Sequence, residues 1–179
     1  LTQGLTDENG RVADARLLGA TEVRSSGAMT VSGALALTDT ATWYSGERPG
    51  TLTLRAGGDL TVLQSIGNAD DSVQRGDTWN LRLAAGADLT AAHPLATVAG
   101  GSGNLVLGSA YAKLRTGTGR IDLAAAGDIR FDDVGATVYT AGRIGVADAA
   151  NSESNVYDRW TVDGGGISMR AGGDITGRP

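Results

Sequence analysis

Four stretches of the chain share one pattern: LRAGGDLTV (Leu54 to Val62), LAAGADLTA (Leu83 to Ala91), LAAAGDIRF (Leu123 to Phe131) and MRAGGDITG (Met169 to Gly177). Each is an apolar strand-like run, a corner of small residues, an aspartate, and a second apolar run. Self-similarity of this kind constrains a fold more than any single residue, because it implies one backbone unit used repeatedly. The aspartates Asp59, Asp88, Asp128 and Asp174 are separated by 29, 40 and 46 residues. A weaker copy, SGNLVL (Ser102 to Leu107), puts Asn104 at the aspartate's place and divides the gap of 40 into 16 and 24. The repeat length is thus loose, near ~20 residues or a multiple of it, as in solenoid proteins.

Within each copy the apolar residues alternate with polar ones, the period of a half-buried strand. In TLTLRAGGDLTV, Leu52, Leu54, Leu60 and Val62 face one side, and Thr51, Thr53, Arg55 and Thr61 face the other. RIDLAAAGDIRF places Ile121, Leu123, Ile129 and Phe131 inward, with Asp122 and Arg130 outward. GGISMRAGGDITG places Ile167, Met169 and Ile175 inward, and GAMTVSGALALT fits two more strands around Ser32–Gly33. Small residues suit a sharp corner, and the Asp or Asn side chain can bond nearby backbone amides. Asp59, Asp88, Asn104, Asp128 and Asp174 are therefore read as structural turn residues, not catalytic ones. Two strands this short bury their apolar faces only by pairing with equivalent strands of neighbouring coils. The expectation is an all-β, parallel β-helix (β-solenoid) with loop insertions. Residues 1–179 form a single segment, with an irregular or capping start over 1–22 and loop insertions at 66–77 and 145–158. Residues 12–18 fit either a short helix or an irregular coil.

Composition agrees. Gly makes up 28 of 179 residues and aromatics only 4%, which favours short strands and many corners over a bulky helical core. The net charge of −5, with scattered arginines and no basic patch, argues against nucleic acid as a partner. Cysteine is absent, so disulfides and thiolate chemistry are excluded. No apolar run approaches the ~18 residues of a membrane span. The chain begins at Leu1 without a signal peptide, as expected of a fragment or processed piece.

The run LRLAAGADLTAAHPLATVAG, followed by GNLVLG, LRTGTGRIDLAAAGDIRF, VYTAGR and GGGISMRAGGDITG, resembles the filamentous-haemagglutinin-type exoproteins of Gram-negative bacteria. The likeness is to a conserved segment toward the C-terminal part of those two-partner-secretion proteins, and it covers Asn80 to Gly177. It implies a right-handed β-helix fibre at the extracellular cell surface and a role in adhesion, biofilm structure or cell contact. It also implies export of the parent protein through an outer-membrane transporter, with neighbouring coils of that parent at either end. It carries no catalytic residue over to this segment.

His93 is the only histidine, and a lone histidine cannot make the usual zinc ligand set. Asp132–Asp133 is the best local acid pair and Asp70–Asp71 is another, but adjacent strand residues point to opposite faces, so a shared pocket is not expected. AGGDL lacks the spacing of calcium-binding nonapeptide repeats. No phosphate-binding glycine loop occurs. No cofactor, metal or catalytic residue is assigned. Arg75–Gly76–Asp77 is an RGD triplet in an expected loop, short enough to arise by chance. Trp43 and Tyr44 are aromatics able to stack on a sugar or to pack. These five are the candidate partner-binding residues, for a host or bacterial surface glycan or protein receptor. The expected function is structural and adhesive, without catalysis. The alternatives are a polysaccharide-acting β-helix enzyme, which calls for acids and bases gathered in one groove where the sequence scatters them, or the stalk of a contact-dependent toxin-delivery protein.

Overall fold

A computed structural model of the chain describes residues 19–37, 49–67, 77–144 and 161–178. The described residues contain no helix, and almost all pairing between strands is parallel. Two five-stranded sheets carry the repeat. The first holds the strands before each corner: β1 (Ala20–Ser25), β3 (Thr51–Ala56), β5 (Asn80–Ala85), β8 (Ile121–Ala125) and β13 (Ile167–Ala171). The second holds the strands after each corner: β2 (Met29–Val31), β4 (Leu60–Val62), β6 (Leu105–Leu107), β9 (Ile129–Phe131) and β14 (Ile175–Gly177). In both sheets the strands follow each other in chain order, so each pass along the chain lays a new strand beside the equivalent strand of the previous pass. A third row is made of bridges Leu35–Ile66 and Ile66–Leu114 and of the parallel pair β7 (Lys113–Thr116) and β10 (Thr137–Thr140). Among the described residues the one antiparallel strand pair, β11 (Arg143–Ile144) with β12 (Thr161–Val162), lies outside this pattern.

The register keeps like residues in columns. Val23, Leu54, Leu83, Leu123 and Met169 are successive partners in the first sheet. Met29, Leu60, Leu105, Ile129 and Ile175 are successive partners in the second. Residues of both sheets and of the third row (Ile66, Leu114) belong to one buried cluster, in which Leu60, Leu81, Leu83, Leu105, Leu107 and Ile129 have no exposed surface. At the ends of the columns Val23 on β1 and Ile167 and Ile175 on the last strands are 45%, 43% and 51% exposed, and among the described residues each has a partner strand on one side only.

The corner residues form a ladder between passes. Asp59 Oδ1 accepts the backbone N–H of Asn104 at 2.7 Å, Asn104 Oδ1 accepts that of Asp128 at 2.9 Å, and Asp128 Oδ1 accepts that of Asp174 at 2.9 Å. This explains the glycine before Asp128 and before Asp174; at Gly58 and Gly103 a Cβ would instead press on backbone, of Gly27–Ala28 and of Gly86. A Cβ at Gly127 would sit 2.5 Å from Asn104 Oδ1, and one at Gly173 would collide with Asp128 Oδ1. In the first pass the corner is Ser26–Gly27–Ala28, where alanine offers no side-chain acceptor.

Asp88 does not stand in this ladder. After β5 the chain turns at Gly86, held at a φ of +58°, and residues 87–102 leave the sheet before Gly103–Asn104 resume the corner. The second strand expected after Asp88 is replaced by turns around His93 and Pro94. Asp88 Oδ1 caps its own turn instead, accepting Thr90 N–H at 3.0 Å and Thr90 Oγ1–H at 2.6 Å. Two other departures concern the start of the chain. β1 (Ala20–Ser25) takes in the last three residues, 20–22, of the start expected to be irregular or capping, whose residues 1–18 lie outside the described residues, and of the two strands expected around Ser32–Gly33 only β2 is a strand, Leu35 making a single bridge.

Candidate functional site

Alternation sends every second residue of the first sheet away from the core. In register these outward residues form two columns: Glu22, Thr53, Arg82, Asp122 and Ser168, and beside it Arg24, Arg55, Ala84, Ala124 and Arg170. Strand alternation alone would leave them in water, yet Thr53, Arg55, Ala84, Asp122 and Ala124 are buried. The cover is the 87–102 excursion. Arg55, 1% exposed, donates to the carbonyl oxygens of Asp88 and Ala91, the latter at 3.3 Å, and to Glu22 Oε1 at 3.1 Å. On the other side Arg170 Nη2 donates to Leu95 O at 3.0 Å. Between these two arginines the column holds only Ala84 and Ala124, small enough to seat a loop. The loop is also closed on itself: Asp88 N–H donates to Ala96 O, Ala96 N–H to His93 O, and Leu95 N–H to His93 Nδ1 at 3.2 Å.

Two grooves flank His93–Pro94 where the loop meets the sheet. One, of about 620 Å³, is lined by Glu22, Thr51, Thr53, Asn80, Arg82 and Pro94 among others. The second, of about 410 Å³, is lined by Arg82, His93, Pro94, Arg120, Asp122 and Ser168 among others. Arg82, half-buried on the central strand β5, reaches both. The carboxylates are held by arginines: Arg120 Nε lies 2.6 Å from Asp122 Oδ1, and Arg24 Nε lies 2.7 Å from Glu22 Oε1. The hydrogen bond from Arg24 holds the Glu22 carboxyl below its ordinary value, with burial opposing and Arg55 reinforcing. Thr90's two hydrogen bonds lower Asp88 in the same way.

Of the partner-binding candidates, Trp43, Tyr44, Arg75 and Gly76 lie outside the described residues, as do Asp70 and Asp71. Asp77, the last residue of the RGD triplet, is described, and its carboxylate is engaged by Arg143 Nη2 at 3.2 Å and Thr118 Oγ1 at 3.3 Å. Asp132 and Asp133 do not share a pocket: Asp132 pairs with Arg130 at 3.4 Å, while Asp133 Oδ1 accepts the Gly135 N–H at 2.8 Å in its own turn. The loop expected at 145–158 is outside the described residues, and the loop that builds a site, 87–102, was not singled out by sequence. Nor did the scattered charges reveal that Arg82, Arg120, Asp122 and His93 line one groove; the signal lay in registering the polar residues of each repeat against one another.

Among the described residues, no group of three or more His, Asp or Glu gathers as metal ligands, and no helix is long and apolar enough to cross a membrane. No protein-family model, curated protein or solved structure matches the chain.

Proposed function

We propose that this chain is a right-handed parallel β-solenoid segment of a large bacterial surface exoprotein of the filamentous-haemagglutinin type, working as a stiff, adhesive, non-catalytic rod. The observation that carries the reading is the unbroken chain-order pairing of five strands in each of two sheets, with equivalent residues in register. Such a stack is pinned by backbone bonds along its axis, so it resists bending. A strand that returns to its own sheet by a parallel crossover is right-handed in almost all proteins, which supports the winding. The exposed column ends at β1 and at β13–β14 suit continuation into further coils or caps of a parent protein. Extracellular location at a Gram-negative surface, and export of the parent through an outer-membrane transporter, rest on the sequence resemblance.

A second reading, a polysaccharide-acting enzyme on the same scaffold, has one observation in its favour: the single histidine lines a groove with Asp122 and two arginines. The groove chemistry favours binding instead. Glycoside hydrolysis commonly uses two carboxylates about 5–10 Å apart. Among the described residues each groove has one, already ion-paired to an arginine.

The test is to incubate the purified chain with a broad panel of bacterial and host surface glycans and read retained and cleaved species by mass spectrometry. Selective retention without cleavage is expected. Turnover would favour the enzyme, and failure to retain any glycan or to adhere to immobilised cells would remove the adhesive part of the proposal.

A further inference from the structure

Arg82 is the unusual residue of the covered face. It sits half-buried on β5, the middle strand of the first sheet, under the 87–102 loop. The other cations of this face are engaged: Arg24 and Arg55 with Glu22, Arg120 with Asp122, and Arg170 with Leu95 O. Arg82 makes no ion pair or side-chain hydrogen bond with a described residue, although its register neighbour is Asp122. Its guanidinium presents five N–H donors and is always charged. Removing such a group from water is costly unless an anion meets it.

We infer that the two grooves beside Pro94 form one binding site for an acidic saccharide, with the sugar carboxylate seated on Arg82. The inference rests on the adhesive reading and names its ligand class. A planar carboxylate matches the guanidinium fork. Thr51 on one side of Arg82 and Ser168 on the other supply hydroxyl groups for sugar hydroxyls, and Pro94 supplies an apolar edge. The volumes fall within the range of ordinary small-ligand sites, about 300–1,000 Å³. Charge complementarity is local: the chain is acidic overall, at −5, but the carboxylates lining the two grooves, Glu22 and Asp122, are already ion-paired to Arg24, Arg55 and Arg120, which leaves the Arg82 charge for the ligand. An acidic peptide fits less well. Peptides commonly add a strand to an open sheet edge, and β5 has both edges paired, to β3 and β8.

The test titrates the full chain with tri-galacturonate and with its neutral methyl ester, read by isothermal calorimetry and saturation-transfer NMR. Arg82→Gln, Arg82→Lys and, on the second sheet, Arg130→Gln are compared, with circular dichroism as the check on folding. The wild type and Arg130→Gln should bind the acid, weakening as salt rises. The ester, and the acid on Arg82→Gln, should bind about tenfold more weakly or worse. Arg82→Lys keeps the charge but loses the fork, so it should fall between wild type and Arg82→Gln; it carries the test if Arg82→Gln unfolds. Equal binding of acid and ester, unchanged affinity in folded Arg82 variants, or equal affinity for a glutamate-rich peptide would each overturn the inference. So would a wild type that binds neither tri-galacturonate, glucuronate nor a sialylated trisaccharide. Retention of a neutral glycan that is indifferent to Arg82 would sink this site while leaving the adhesive reading standing.

Discussion

Replacing Gly127 with alanine places a Cβ 2.5 Å from Asn104 Oδ1, well inside van der Waals contact. The oxygen must move, and the bond it accepts from the half-buried Asp128 N–H at 2.9 Å is lost. Leaving such a donor unsatisfied costs about 1–3 kcal/mol. Gly127 is not at a positive φ, so the backbone itself tolerates alanine. Asn104→Ala removes the same acceptor and should cost a similar ~1–3 kcal/mol. The double substitution is the informative one. Once Oδ1 is gone, the nearest atoms to the new Cβ are Gly103 O at 3.3 Å and Gly103 N at 3.4 Å, tight but accommodated by small shifts. Alanine at 127 also restricts the unfolded chain, which offsets about 0.4–1 kcal/mol. The double variant should therefore be no less stable than Asn104→Ala alone, and the two costs should fall short of additivity by the cost of the shared bond, about 1–3 kcal/mol. Urea unfolding of the four proteins, followed by circular dichroism, measures this directly. Costs that add to within about 0.5 kcal/mol would refute the ladder as the reason for glycine at this corner.

Three further outcomes follow from the same geometry. Leu83→Ala, at a fully buried position of β5, should cost about 2–5 kcal/mol, while Ile175→Ala, at a 51% exposed position on β14, should cost far less; thermal and urea unfolding compare them. Arg55→Met should release the 87–102 loop from the sheet, read as faster amide exchange and protease cleavage within those residues; unchanged exchange there would contradict the anchoring role of Arg55. Acid should weaken the fold through Glu22 and Asp88. Both carboxyls are lowered in the folded chain, so their stabilisation is complete above the ordinary carboxylate range, about pH 4–4.5, and is lost as pH falls through their folded values. Glu22→Gln should flatten the acid limb of the stability profile, measured by urea titration from pH 6 to pH 2.5.

What the sequence determined by itself was local. Period-two alternation decides which side chains of TLTLRAGGDLTV point to the core, and Leu52, Leu54, Leu60 and Val62 are buried as their spacing requires. A glycine followed by Asp or Asn decides where the corner lies: at Gly127 and Gly173 a Cβ would strike the acceptor of the previous pass, and at Gly103 the backbone of Gly86. Alternation says nothing about what covers the other face. Arg55 and Asp122 read as outward and solvated, yet are 1% and 8% exposed, because a distant loop folds over them. Nor does local pattern distinguish the true corner from its copy. LAAGADLTA matches the repeat as well as the others do, but the chain leaves the sheet at Gly86 and returns at Asn104. Loop-closure entropy rises only slowly with length, so an excursion of this size disturbs neither neighbouring register. The meeting of Arg82, Arg120, Asp122 and His93 was decided by tertiary structure for the same reason. Their proximity depends on which strands lie side by side and where one loop comes to rest, which is set by backbone pairing between residues far apart in the chain.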